Sequence, residues 1–160
     1  MRALQGSMVL TLALADEAAT EALGRRLAEL ARAGDVIALE GPLGAGKTTL
    51  ARSFIRSLTD PAEEVPSPTF TLVQTYRGRS GAIAHFDLFR LTRADEALEL
   101  GIEEAYADGI VLIEWPERLG GALPARRLAL RLEPGTEDDA RTATLESPAW
   151  AGRLARLAAA

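Results

Sequence analysis

The chain has 160 residues, 48% hydrophobic and 26% charged, with no cysteine and a formal net charge of −5. That length and mix predict one domain over residues 1–160, large enough to fold on its own core, and the missing thiols exclude a disulfide framework, a cysteine zinc site and a thiol nucleophile. The acidic balance opposes unaided nucleic-acid binding, no apolar run reaches the roughly 18 residues of a membrane span, and the N-terminus lacks a signal-peptide pattern, so a cytoplasmic chain without membrane contact is expected.

Met8–Ala13 predicts a short first strand. Asp16 then N-caps a helix with Leu23, Leu27 and Leu30 on one face, which Gly34 is expected to end. Val36–Glu40 is the compact apolar run of a strand buried on both faces. A glycine-rich turn follows, and then Thr48–Leu58 repeats Leu50, Phe54 and Leu58 at helical spacing. Val65-Pro66-Ser67-Pro68 places two residues directly before proline, where helix is disfavoured, so this stretch is an extended loop. Thr71–Arg77 and Ala82–Asp87 flank Gly78-Arg79-Ser80-Gly81 as a hairpin with a four-residue turn. Ala94–Leu100 and Glu103–Ala107 predict short helices broken at Gly101, and Ile110–Glu114 is a second central parallel strand. Leu128–Glu133 and Thr142–Glu146 alternate as a C-terminal antiparallel pair, and Pro148–Ala159 closes the chain as a helix with Trp150, Leu154 and Leu157 on one face. The expected class is α/β: a central, mostly parallel sheet with flanking helices and antiparallel C-terminal strands.

Gly41-Pro42-Leu43-Gly44-Ala45-Gly46-Lys47-Thr48 fits G-x-x-x-x-G-K-[ST], the P-loop pattern, between a predicted buried strand and a predicted amphipathic helix. Its glycines let backbone N–H groups converge on a phosphate, and the helix N-terminus adds partial positive charge. Lys47, the only lysine in the chain, is placed to reach the β and γ phosphates, and Thr48 offers a hydroxyl to Mg²⁺. Leu43, Gly44, Ala45, Gly46, Lys47, Thr48 and Thr49 are therefore the expected nucleotide-binding stretch. A carboxylate at a neighbouring strand end must complete the metal site. Glu114 ends the uniformly apolar Ile110–Glu114 and is the preferred ligand, which leaves Asp87 to orient or activate the attacking water. The two roles reverse if Asp87 is the ligand. His85 shares the face of Asp87 and is expected to be a structural or hydrogen-bonding side chain. Ser67-Pro68-Thr69-Phe70 reads either as a rigid proline turn or as a segment that senses the γ-phosphate.

Four motifs in order, GPLGAGKTT, SPTFTLVQTY, HFDLFRL and IEWPERL, resemble the TsaE family of small bacterial ATPases needed for threonylcarbamoylation of tRNA, with the likeness running from about Asp16 to Pro124. The resemblance implies a P-loop NTPase-like fold, binding of ATP and Mg²⁺, slow hydrolysis, and assembly with TsaB and TsaD, through which alone tRNA is met. It implies that Lys47 and Thr48 hold phosphate and Mg²⁺, that Glu114 is the second metal ligand, that Thr69 belongs to a switch-like loop and that Asp87 serves hydrolysis. By the same likeness Glu17, in Asp16–Thr20, lies near the nucleotide base. Phe89 stands where the family usually has tyrosine. Two other activities fit the cradle alone: a small-molecule kinase, whose lid would have to come from Leu91–Asp108, and a nucleotide-dependent binding module with negligible turnover. A GTPase is disfavoured because its N-K-x-D needs a second lysine.

Overall fold

The computed structural model describes residues 8–159. Among these residues seven strands, β1 (Met8–Leu14), β2 (Val36–Glu40), β3 (Val73–Gly78), β4 (Gly81–Asp87), β5 (Gly109–Glu114), β6 (Leu128–Pro134) and β7 (Arg141–Ser147), build one sheet in the order β1-β7-β6-β2-β5-β4-β3. The middle of the sheet is parallel, β4 to β5 to β2 to β6, while β1, β7 and β3 join antiparallel at the sides.

Period-two alternation divides the strand side chains between two cores. Ile37 and Leu39 of β2, Ile83 of β4, and Ile110 and Leu112 of β5 pack against α1 (Glu17–Leu30), α2 (Lys47–Leu58) and α5 (Ala151–Ala159). Val36, Ala84, Phe86, Val111 and Ile113 face the other way, against α3 (Glu96–Glu99), α4 (Ile102–Asp108) and the 3-10 segment Pro116–Ala122. The same alternation carries His85, Asp87 and Glu114 onto the α1/α2 face, where the glycine-rich loop emerges. Gly24 lets α1 and α2 approach closely, since a Cβ there would stand 2.0 Å from Ser53 Oγ and 2.7 Å from Leu50 O. That contact sets the N-terminal end of α1 beside the start of α2.

Element ends depart from the sequence expectation where side chains intervene. Helix α1 stops at Leu30, not at Gly34, because Ala31 is extended and the Arg32 N–H donates to Asp35 Oδ2 at 2.7 Å. Gly34 instead sits in the turn into β2, its N–H donating to Gly109 O at 2.8 Å. The β3–β4 ladder continues through Gly78 opposite Gly81, which leaves a two-residue loop, Arg79-Ser80, rather than four. Arg79 draws that loop onto the end of α2 with its N–H on Leu58 O (2.9 Å) and its guanidinium on Ser57 O (2.6 Å). The final helix begins at Ala151, since Ser147 Oγ takes the Ala149 N–H and Trp150 lies at the helix start, its carbonyl accepting from Leu154 N.

Candidate functional site

The C-terminal ends of β2, β4 and β5 lie at one edge of the sheet, with Leu39 opposite Glu114 and Glu114 opposite Asp87. Ligands of open parallel sheets gather at such ends. From β2 the chain enters the glycine-rich loop with positive φ at Gly41 (139°), Gly44 (77°) and Gly46 (100°), and a Cβ on Gly41 would meet Leu132 O at 2.3 Å. Gly46 caps α2 without any side-chain bond, so the first N–H groups of the helix are left for an anion. Lys47 is only 5% exposed. Its Nζ donates to Gly41 O (2.6 Å) and Pro42 O (2.9 Å) and lies 4.3 Å from the centre of the Trp115 ring. Burial pushes the ammonium pKa below its ordinary value, while Glu114, Glu117 and Asp87 act to keep the charge.

Glu114 and Asp87 are both buried, at 2% and 4% exposure, yet they belong to separate hydrogen-bond sets. Thr48 Oγ1 donates to Glu114 Oε1 at 3.0 Å, and His85 Nε2 lies 2.7 Å from Glu114 Oε2. His85 is fully buried, and its Nδ1 has no hydrogen-bond partner among the described residues. Asp87 Oδ2 accepts from Thr69 Oγ1 at 3.0 Å, Asp87 Oδ1 accepts the Phe89 N–H at 3.0 Å, and Thr69 Oγ1 lies 2.8 Å from Ser67 Oγ. Two non-glycine residues hold left-handed backbone next to these acids: Trp115 (φ 60°), directly after Glu114, and Leu72 (φ 69°). Each such conformation costs about 1–2 kcal/mol. Leu72 is fixed by its N–H to Pro68 O (2.6 Å) and by its carbonyl accepting Asp87 N–H (3.0 Å), which explains why β3 begins at Val73 and not at Thr71.

A cavity of about 270 Å³ joins these parts. Glu17, the stretch Leu43–Thr49, Thr69, Asp87 and Glu114 all line it, so every site residue expected from the sequence meets in one place. His85 lies behind Glu114. Four further lining residues were not singled out by the sequence: Thr20, at the end of the Asp16–Thr20 segment, Trp115, inside the IEWPERL motif, and Asp139 and Arg141. Arg141 matters most, because it leaves β7 to donate from Nε to Ala45 O (2.9 Å) and from Nη2 to Gly44 O (3.0 Å), while Nη1 reaches Asp138 O and Ala140 O. It ties the tip of the phosphate loop to the C-terminal hairpin. Thr48 and Glu114 together offer a hydroxyl and a carboxylate, a hard oxygen pair suited to Mg²⁺, which usually keeps water and substrate phosphate in its remaining positions.

Among the described residues no helix is long and apolar enough to cross a membrane. Residues 14–143 match the family model for threonylcarbamoyl adenosine biosynthesis protein TsaE, extending the likeness past Pro124 to include Arg141. The chain is 38% identical over 122 residues to the tRNA threonylcarbamoyladenosine biosynthesis protein TsaE of Rickettsia felis, covering 76% of this chain and 71% of that one. It is 40% identical over 134 residues to the protein of the same name from Mycobacterium tuberculosis, covering 78% and 79%. The crystal structure of Bacillus subtilis YdiB superposes with a TM-score of 0.75 and 28% identity over 94% of both chains. With a family-model match over residues 14–143, a span that contains the glycine-rich loop and both buried acids, and with relatives 38% and 40% identical over most of the chain, this chain belongs to the TsaE family and to tRNA threonylcarbamoyladenosine biosynthesis.

Proposed function

We propose that the chain is a Mg-dependent ATPase that acts with TsaB and TsaD in forming the threonylcarbamoyl group on the tRNA adenosine next to the anticodon. Turnover is slow and stimulated by the partners, the setting is cytoplasmic, and tRNA is met only through the assembled complex. The observation that carries this reading is the Thr48–Glu114 hydrogen bond at the mouth of the glycine-rich loop, which joins a helix-start hydroxyl and a strand-end carboxylate at 3.0 Å.

Backbone N–H groups of Leu43–Thr49 hold the phosphates, and Lys47 exchanges the carbonyls of Gly41 and Pro42 for stronger, charged acceptors. Thr48 and Glu114 would hold Mg²⁺, which when bound neutralises charge on the β and γ phosphate oxygens. His85 keeps Glu114 oriented from behind. Asp87 orients the attacking water, its own rotation restricted by Thr69 and the Phe89 N–H. Thr69 reads the γ-phosphate and passes its presence along the Ser67–Phe70 loop. Glu17 stands on the α1 side of the cavity, toward the base.

Residues 91–108, the stretch with the length of a kinase lid, pack onto the sheet through Leu91, Ala97 and Ile102, which argues against a small-molecule kinase. Phosphate release measured with and without TsaB, TsaD and tRNA tests the proposal. Mg-dependent release that rises with the full mixture is expected and is lost in Lys47→Ala. Tight ATP binding with no release in any mixture would make the chain a nucleotide-dependent binding module instead.

A further inference from the structure

Next to the cavity mouth the chain exposes aromatic and cationic groups that the catalytic reading does not use. Phe70, directly after Thr69, is 82% exposed, and Phe89, two residues after Asp87, is 37% exposed. Both rings carry a guanidinium: Arg90 Cζ lies 5.1 Å from the Phe70 centroid and Arg118 Cζ lies 6.0 Å from that of Phe89. Phe89 in turn packs on Trp115 with centroids 4.9 Å apart, and so on the residue that covers Lys47. Arg90 and Arg118 are exposed, and neither is in an ion pair among the described residues.

Beyond its contact with Arg90, the largely exposed Phe70 ring buries little in the isolated chain. Such a pair matches the residues that dominate protein–protein hot spots, where a desolvated aromatic anchor is ringed by polar contacts. We propose that Phe70 and Phe89 with Arg90 and Arg118 form the docking face for a partner protein that presents an apolar socket rimmed by Asp and Glu. This rests on the ATPase-with-partners reading above and names the face that the partner complex covers. Two features favour a protein over RNA. The chain carries a net charge of −5, and the face offers two cations, far fewer than phosphate-gripping surfaces use. Its position supplies the logic of control. Phe70 adjoins Thr69, whose hydroxyl holds Asp87, so a partner seated on the ring bears on the loop that touches the site.

The test titrates the TsaB–TsaD complex onto wild type, Phe70→Ser and Arg90→Glu in the presence of ATP, and measures ATP affinity of each chain alone. Phe70 and Arg90 lie on the surface, so both variants should fold, and Arg90→Glu, outside the Ser67–Phe70 loop, should bind ATP as wild type does. Partner affinity is expected to drop about tenfold or more in each variant, with the Arg90→Glu loss shrinking at high salt. Variants that bind TsaB–TsaD as wild type does would overturn the docking face while leaving the ATPase reading intact. If wild type itself binds ATP but never TsaB–TsaD, both the partner assignment and the face fall. A loss confined to tRNA binding by the chain alone, or to self-association seen by sedimentation, would likewise overturn the proposal by giving the face to RNA or to a second copy.

Discussion

Glu114 and Asp87 are neighbours in the β4–β5 register and nearly equal in burial, yet one is held by the framework and the other by a loop. Glu114 takes its partners from α2 and from the adjoining strand, Thr48 and the fully buried His85. Asp87 takes its partners from Thr69 and from the backbone just beyond β4, and Thr69 sits in a proline-containing loop whose last turn needs a left-handed Leu72. The two acids thus differ in the rigidity of what they bond, and the proposed roles follow that difference. A fixed carboxylate suits a metal, whose ligands must not move. A carboxylate held by a loop suits a step that begins and ends with each turnover.

The two halves share Lys47, whose charge both acids support. Lys47→Ala should therefore break both at once, weakening Mg-ATP binding by about a hundredfold through loss of two charge-assisted bonds, with the fold retained. Calorimetry and a thermal melt check this; unchanged affinity in a folded variant removes the phosphate-loop reading. Next in size, Glu114→Gln should weaken Mg²⁺ binding by about tenfold or more and slow hydrolysis while sparing metal-free nucleotide binding, because a carboxamide is a poorer ligand for a hard cation. Asp87→Asn should differ in its metal response, keeping Mg²⁺ affinity while losing turnover. Mg²⁺ titrations that show the reverse pattern exchange the roles of the two acids.

Thr69→Ala sharpens the contrast on the loop side. It should bind ATP almost normally but lose the difference in TsaB–TsaD affinity between ATP and ADP, where a tenfold effect needs only about 1.4 kcal/mol of coupling. A variant that still distinguishes the two nucleotides leaves Ser67–Phe70 as a rigid turn. His85→Leu is the counterpart on the framework side and should weaken Mg²⁺ binding several-fold by freeing Glu114, with partial rescue by His85→Gln, whose amide can still donate. Equal Mg²⁺ titrations in all three proteins would make His85 a packing residue only.

The smallest effect belongs to a control on the opposite face. Burial pushes the Tyr106 phenol up to about 12, and its oxygen has no hydrogen-bond partner among the described residues. The unfolded phenol titrates near 10, so the folded state keeps its proton longer: stability is fully present below about pH 10 and falls as pH rises toward 12. Tyr106→Phe should flatten that alkaline loss, change stability at neutral pH by about 1 kcal/mol or less, and leave both carboxylates undisturbed. Denaturant melts at neutral and alkaline pH, alongside Mg²⁺ titration, give the readout.

Local signals in the sequence make much of this legible. The phosphate loop is contiguous, Val36–Glu40 and Ile110–Glu114 are apolar throughout, and the alternation of β4 puts His85 and Asp87 on one face. Arg141 was not legible because its importance comes from four backbone carbonyls, two of them nearly a hundred residues away, and no spacing rule links a strand-start arginine to a loop tip. Trp115 was hidden for another reason. Its left-handed backbone and the seat of its ring against Lys47 and Phe89 exist only in the assembled fold. The helix ends shifted where single side chains, Asp35 and Ser147, captured backbone N–H groups that propensity would have assigned to a longer helix.

A solitary lysine has one more effect. A protease that cuts only after lysine finds a single scissile bond in this chain, Lys47–Thr48, in the first turn of α2. With Arg141 pinning the loop tip and the ammonium drawn onto the loop carbonyls, that bond is shielded while the turn is wound. The rate at which the polypeptide falls into two pieces thus records how often this one turn opens, separately from any looseness elsewhere.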